Sequence, residues 1–244
     1  MALTVERFDA RTWSDEQMAK LMDGAFPAFI VADKIAAAYI GRVREWFVEL
    51  SIMLVDEADN PVACGWGVPI SRDGTVTDLP YGYTDTTRRA VDGHLRGDAP
   101  DTFVICGIVN RAHAGGGHAV ALIEALRDRG LASGCERVIA PLRPTLKPSY
   151  PLTPIDTYAQ WTRDDGTPLD PWLRTHVRMG ARVIATAPHS QTMTGTVSEW
   201  QTWTGMAFPS TGDYVIPQGL STLYLDHELD LGTYTEPNIW VQHR

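Results

Sequence analysis

Cysteine is scarce in this chain. Cys64, Cys106 and Cys135 are the only three in 244 residues, and each lies within or beside an apolar, strand-like run. That distribution excludes a disulfide framework and reads as reduced thiols, the state expected of a cytoplasmic protein. Zinc-site spacing is missing too: His113 and His118 flank a glycine run and do not make a ligand pair, so no metal is expected. No apolar run approaches the roughly 18 residues that span a bilayer. The start, Met1-Ala-Leu-Thr-Val-Glu6, has no basic stretch ahead of an apolar one, so no secretory leader is expected. Blocks of lysine and arginine are absent and the net charge is −9, which argues against nucleic acid or an anionic membrane as the main partner. Repeats and low-complexity segments are absent as well.

What is present suits a globular unit with a real core: 44% of residues are apolar and 21% charged. The reading is one domain over 1–244. Leu3–Phe8 reads as an edge strand. Ser14 or Asp15 caps a helix through Met22, and Ala32–Trp46 is a second, alanine-rich helix. Leu50–Asp56 and Val62–Ile70 flank a turn and predict a hairpin. Residues 71–102 are too long for a simple link and contain a helical piece, Thr86–Leu95. Phe103–Val109 is apolar with a β-branched bias, a buried strand. Gly115-Gly116-Gly117 then makes a tight turn, and Leu122, Ile123 and Leu126 share one face of the helix that follows. A strand, a glycine turn and a helix together aim unpaired first-turn N–H groups at a phosphate.

Beyond the central helix, Glu136–Ala140 is another buried strand, and Pro141–Pro148 is too proline-rich to continue it. Residues 148–170 form a second excursion, with Ile155–Trp161 as one or two helical turns. Asp170, Pro171 and Gly180 mark the cap, first turn and stop of a helix. Arg182–Ala187 and Met193–Thr204 read as strands. The segment 206–244 is rich in turn residues, yet Ile239, Trp240 and Val241 are costly to leave in water, so it is expected to wrap the domain.

Residues 103–130 resemble motif A of the GCN5-related N-acetyltransferase (GNAT) superfamily, Gln/Arg-x-x-Gly-x-Gly/Ala at a strand-to-helix junction. Gly117 and Ala119 take its small-residue slots, and Gly115 is the glycine often seen between the first two positions. Ala114 stands where Gln or Arg is expected, which removes one side-chain contact to a pyrophosphate and leaves the backbone cradle. The resemblance implies a mixed α/β (α+β) fold. Its central, mostly antiparallel sheet would have a splayed parallel pair, here Phe103–Val109 and Glu136–Ala140, with helices on both faces. Segments 71–102 and 148–170 would be acceptor-side insertions.

It also implies an N-acyltransferase moving an acyl group from acetyl-CoA or another acyl-CoA to an amine of a small molecule by direct attack. The donor would lie along Ile108, Val109 and Asn110 and over Ala114, Gly115, Gly116, Gly117, His118 and Ala119. The tyrosine that the family uses as an acid has His176 in its slot, a chemically sensible donor near neutrality. Tyr158 and Tyr150 are the next candidates, and Cys106 is either a nucleophile or an inert strand residue. A base is harder to name: Asp78, Asp85 or Asp156 acting through water, or water alone, remain open. Trp66, Tyr81, Tyr83, Asp156 and Trp161 would wall the acceptor pocket. Two other readings stand beside this one: an acyl carrier protein bearing acyl-phosphopantetheine as donor, and a non-catalytic binder of acyl-CoA or a metabolite. A Rossmann dehydrogenase fits poorly, since three consecutive glycines do not give Gly-x-Gly-x-x-Gly. Monomer and dimer are equally open.

Overall fold

The computed structural model describes residues 3–110 and 117–244. An edge strand, β1 (Thr4–Arg7), leads to α1 (Asp15–Met22), whose start is held by reciprocal bonds. The Ser14 hydroxyl accepts from the Gln17 N–H, and the Gln17 side chain accepts from the Ser14 N–H. Helix α2 (Lys34–Trp46) begins two residues later than its alanine-rich run predicts. Asp33 accepts from the N–H groups of Ile35 and Ala36 and so separates the helix from a 3-10 turn over Ala28–Ala32. The predicted hairpin is β2 (Ile52–Val55) and β3 (Pro61–Ile70), paired antiparallel with Ile52 opposite Gly65. The first insertion folds as α3 (Tyr83–Arg96), which starts three residues ahead of the expected helical piece. The expected strand, turn and helix follow as β4 (Thr102–Asn110) and α4 (His118–Ala132), with β5 (Arg137–Leu142) after them.

Strand β5 corrects the reading of Pro141 as its limit. Its pairing with β4 has already ended at Ile139, so that flank asks for no N–H from Pro141, and the strand runs on to Leu142. A short α5 (Ile155–Tyr158) and α6 (Pro171–Arg178) fill the next stretch, α6 capped by Asp170 as its sequence predicts. The expected strand over Met193–Thr204 is also corrected. One long strand, β6 (Arg182–Gly195), absorbs its first residues, and the rest is a helix, α7 (Val197–Thr204). Thr196 and Glu199 close a capping box at its start, a Thr-x-x-Glu signal that outweighs the β-propensity of the tryptophans. Residues 206–244 supply β7 (Gly212–Val215), β8 (Thr222–Asp226) and β9 (Leu231–Gln242).

Among the described residues nine strands join in one sheet, ordered β1-β2-β3-β4-β5-β9-β8-β7, with β6 also paired along β9. Neighbours are antiparallel except β4 and β5. Strand β9 holds the second half of the sheet together, since it pairs with β5, β6 and β8 and buries Ile239, Trp240 and Val241 completely or nearly so. At about 1.5–3 kcal/mol for each large apolar side chain taken out of water, this burial is what draws the last strand inside. Helix α4 packs on one face, where Leu122 and Leu126 lie against Gly65. On the other face Met53, Val55, Cys64 and Val109 pack beneath Leu21 of α1.

Asp170 carries more than a helix start. One carboxylate oxygen accepts from the Trp172 and Leu173 N–H groups; the other accepts from the Leu146 N–H and, at 2.8 Å, from the Tyr158 hydroxyl. Asp170→Ala would lose a cap and strand two buried donors, a cost of roughly 3 kcal/mol. Urea unfolding should show that drop, and Asp170→Asn, which can still cap, should lose less.

Candidate active site

Strands β4 and β5 pair over only three residues each, Thr102–Val104 with Arg137–Ile139. Beyond that point β4 stays bonded to β3 as far as Asn110, and β5 stays bonded to β9, so the two parallel strands diverge. From Ile105 onward the far edge of β4 has no strand partner among the described residues. Unpaired main-chain groups on an opened edge accept an extended ligand as they would another strand. A bulge sits at the same place: Trp66 lies opposite Gly107 and Gly67 opposite Ile105, which leaves Cys106 without a partner across the ladder.

On the α4 face, Gly117 occupies the cap position with φ 105°, a left-handed conformation that a side chain would strain. Among the described residues no side chain caps α4, and a Cβ at Gly117 would meet none of them within 4 Å. The N–H groups of His118, Ala119 and Val120 therefore open the helix without intrahelical acceptors, as an anion site requires. Of the expected donor residues, Ile108, Val109, Asn110, Gly117, His118 and Ala119 lie at this strand end and helix start. Val109 is buried under α1, so only its main chain is free to bind. Ala114, Gly115 and Gly116 lie outside the described residues.

On the opposite face is a cavity of about 710 Å³. Its walls are Met18, Met22 and Phe26 at α1, Ala36, Ile40, Val43 and Arg44 on α2, and Cys64, Trp66 and Gly67 on β3. Cys106 and Pro141, on the two diverging strands, close it from the sheet side. Thus the cavity reaches both of the diverging strands. Polar groups collect at one end: Arg143, Gln191, Glu236 and Asn238. Glu236 is 1% exposed; it accepts from Arg143 Nε at 2.6 Å and from the Tyr234 hydroxyl at 2.8 Å. Arg143 also donates to the Gln218 carbonyl at 2.6 Å.

The structure brings Trp66, Tyr83 and Cys106 together in this cavity. Tyr83 opens α3, and its N–H donates to the Ser190 hydroxyl at 2.8 Å. Gly82 before it has φ 155° and presses on Ser190 so closely that a Cβ would collide with its backbone. This lock, with Ser190 bonded in turn to Asn238, ties α3 to β6 and fixes where the tyrosine enters. Burial, with the Cys106 thiol nearby, pushes the Tyr83 hydroxyl well above its ordinary range, so it holds its proton at neutrality. Burial likewise pushes the Cys106 thiol up to about 12, which keeps it a thiol rather than the thiolate a nucleophile needs.

The other expected site residues lie elsewhere. His176 is fully buried on α6, with Nδ1 2.8 Å from His243 Nε2 and its ring edge-on to Trp172. Its Nε2 is buried with no partner. The inward face of α6, not the cleft, claimed this side chain. Tyr158 is bound to Asp170 and packs with Tyr150 and Trp161. Asp156 is bonded to Thr186, and Tyr81 points to solvent at 78% exposure. Asp78 and Asp85 are paired with Arg88 and Arg89. Sequence reasoning missed Arg44, Arg143, Gln191 and Glu236. A signal existed for the last: Glu236 and Asn238 alternate just ahead of the apolar run Ile239–Val241, in the buried part of β9, where unpaired polar groups are costly.

No protein-family model matches the chain. It is 28% identical over 251 residues to the arginine N-acetyltransferase avaD of Aspergillus versicolor, a match covering 91% of this chain and 86% of that protein. Its fold is similar to the loading GNATL domain of CurA from Lyngbya majuscula, with a TM-score of 0.61 at 14% identity over 99% of this chain and 97% of that one. It is also similar to the GphF GNAT-like decarboxylase in complex with isobutyryl-CoA, with a TM-score of 0.57 at 14% identity over 100% and 98%.

Burial lowers both members of the histidine pair, His176 to about 3 and His243 to about 4, from an ordinary value near 6.5. Each stays neutral in the folded chain and takes up a proton when the chain opens. Their stabilising effect is therefore full above pH 6.5 and is lost as pH falls from 6.5 toward 4. Urea unfolding at pH 5 should give a stability lower than at pH 7 by roughly 2 kcal/mol for His176 alone. Equal stability at the two values would contradict the buried neutral pair.

Proposed function

We propose that the chain is a GNAT-superfamily N-acyltransferase that moves an acyl group from acyl-CoA to a primary amine of a small molecule, a reading supported by its 28% identity to an arginine N-acetyltransferase over 91% of its length. The observation that supports the reading is the divergence of β4 from β5, with the start of α4 following the end of β4 and an apolar cavity that reaches Cys106 and Pro141 on the two strands. Donor and acceptor can then approach from opposite sides of the sheet and meet between the strands. First-turn N–H groups of α4 would hold the phosphates, and the free edge of β4 from Ile105 to Val109 would pair with the pantetheine arm. A main-chain N–H at the bulge near Gly107 would polarise the thioester carbonyl.

Attack is direct. The uncharged amine nitrogen bonds to the acyl carbon and gives up one proton, the carbon–sulfur bond breaks, and the thiolate takes a proton from a donor that regains the one the nitrogen lost. Tyr83 is the cavity hydroxyl placed to give that proton, in the part that His176 was expected to play. A covalent route through Cys106 has no support, because its thiol stays protonated. The apolar walls exclude water that would otherwise hydrolyse the thioester.

Titration with acetyl-CoA should show saturable binding, and an amine panel should show turnover. Tyr83→Phe is expected to lower kcat by about 100-fold with little change in KM for acetyl-CoA, and Cys106→Ala to keep most of its activity. Saturable binding without turnover of any amine would favour a non-catalytic binder. Turnover confined to acyl-phosphopantetheine on a carrier protein would replace the free coenzyme as donor.

A further inference from the structure

The charged groups lining the cavity are not equivalent. Asp33 spends one oxygen on the N–H groups of Ile35 and Ala36 and the other on the Thr84 hydroxyl. Glu236 is held by Arg143 and Tyr234, and Arg143 is held by Glu236 and the Gln218 carbonyl. Both acids and one of the two arginines are thus engaged within the fold. Arg44 is the exception: it lines the cavity from α2 and makes no hydrogen bond or ion pair among the described residues. Its charge lies close enough to Tyr83 to favour the ionised phenol, which places it on the side where the reaction is proposed. Gln191, buried on the opposite wall, likewise has a side-chain amide with no partner among the described residues. Among the described residues Arg44 is therefore the one charged side chain lining this apolar space with no ion pair or hydrogen bond inside the fold.

We infer that Arg44 receives an anionic group of the acceptor, so that the cavity selects amines that also carry a carboxylate, as an amino acid does. A planar guanidinium binds a carboxylate through two parallel hydrogen bonds, a geometry that a lone ammonium or a neutral amide does not match. Gln191 can donate to the same group from across the cavity. The whole chain carries a net charge of −9, so an anionic acceptor gains nothing from the general field and depends on this one local cation. The inference rests on reading the cavity as the acceptor site.

Matched pairs of amines test it: L-arginine with L-argininamide and L-leucine with L-leucinamide, each assayed with acetyl-CoA on wild type, Arg44→Gln and Arg44→Lys. The expected result is that Arg44→Gln raises KM for the acids by about tenfold or more, equivalent to roughly 1.4 kcal/mol. Any general effect of the lost charge on the site falls on acids and amides alike, so the reading is the ratio of acid to amide KM, which should rise about tenfold in Arg44→Gln and be partly restored in Arg44→Lys. Equal shifts for acids and amides, or no shift in either, overturn the inference while leaving acyl transfer standing. Calorimetric binding of the same pairs decides the matter independently of turnover: wild type should bind acids more tightly than amides, and Arg44→Gln should lose that difference. If no amine is acylated, the proposed reaction fails, and the calorimetric preference still upholds or overturns the role of Arg44. Arg44 is exposed on its helix, so thermal melts of the variants should match wild type.

Discussion

A parallel pair of strands that separates after three residues leaves a row of backbone groups without partners in the middle of a sheet. In a folded chain that arrangement persists only if the flanking strands are anchored elsewhere. Here β4 is bonded to β3 along its whole length, and β5 is bonded to β9. Strand β9 in turn is bonded to β6 over most of its residues and to β8 at its start. The chain thus braces both sides of the opening with antiparallel ladders. An unpaired edge of this kind is open to an extended ligand in place of a neighbouring strand.

This opening explains why the two faces carry different chemistry. One face holds a helix start without a side-chain cap, where an anion is welcome. The other holds an apolar space whose acids are already satisfied by Arg143, Tyr234, Thr84 and main-chain donors. Burial acts on the same space by keeping the Cys106 thiol and the Tyr83 hydroxyl protonated. A protonated hydroxyl suits proton delivery, and a protonated thiol does not suit nucleophilic attack. The cavity therefore favours a one-step transfer over a covalent relay.

The lock between Gly82 and Ser190 shows how a long insertion acquires a defined role. Residues 71–102 read as an excursion, and their helix was legible from Thr86 onward. The position of Tyr83 depended on a hydroxyl more than one hundred residues away, bonded to Asn238 on a third strand. No local pattern encodes such a meeting. The same holds for His176: its spacing from Gly180 matched a catalytic slot, but the inward face of α6 met His243 at the end of β9.

Local signals alone determined most of the elements. Ser14, and Asp170 with Pro171, marked helix starts, and the apolar run over Phe103–Val109 with the aliphatics of α4 marked the core of the resemblance; that Asp33 caps α2 came only with the structure. Those features are legible because capping, periodicity and glycine turns act over a few residues. Where the strands part, and that β9 lies in the middle of the sheet, followed from pairings between residues distant in the chain, such as Ile139 with Gln242 and Arg182 with Gln242. Which acids are engaged and which arginine is free also depended on tertiary contact, since Glu236 meets Arg143 across 93 positions. Charge and hydrogen-bond satisfaction are properties of neighbours in space, and only the folded chain chooses those neighbours.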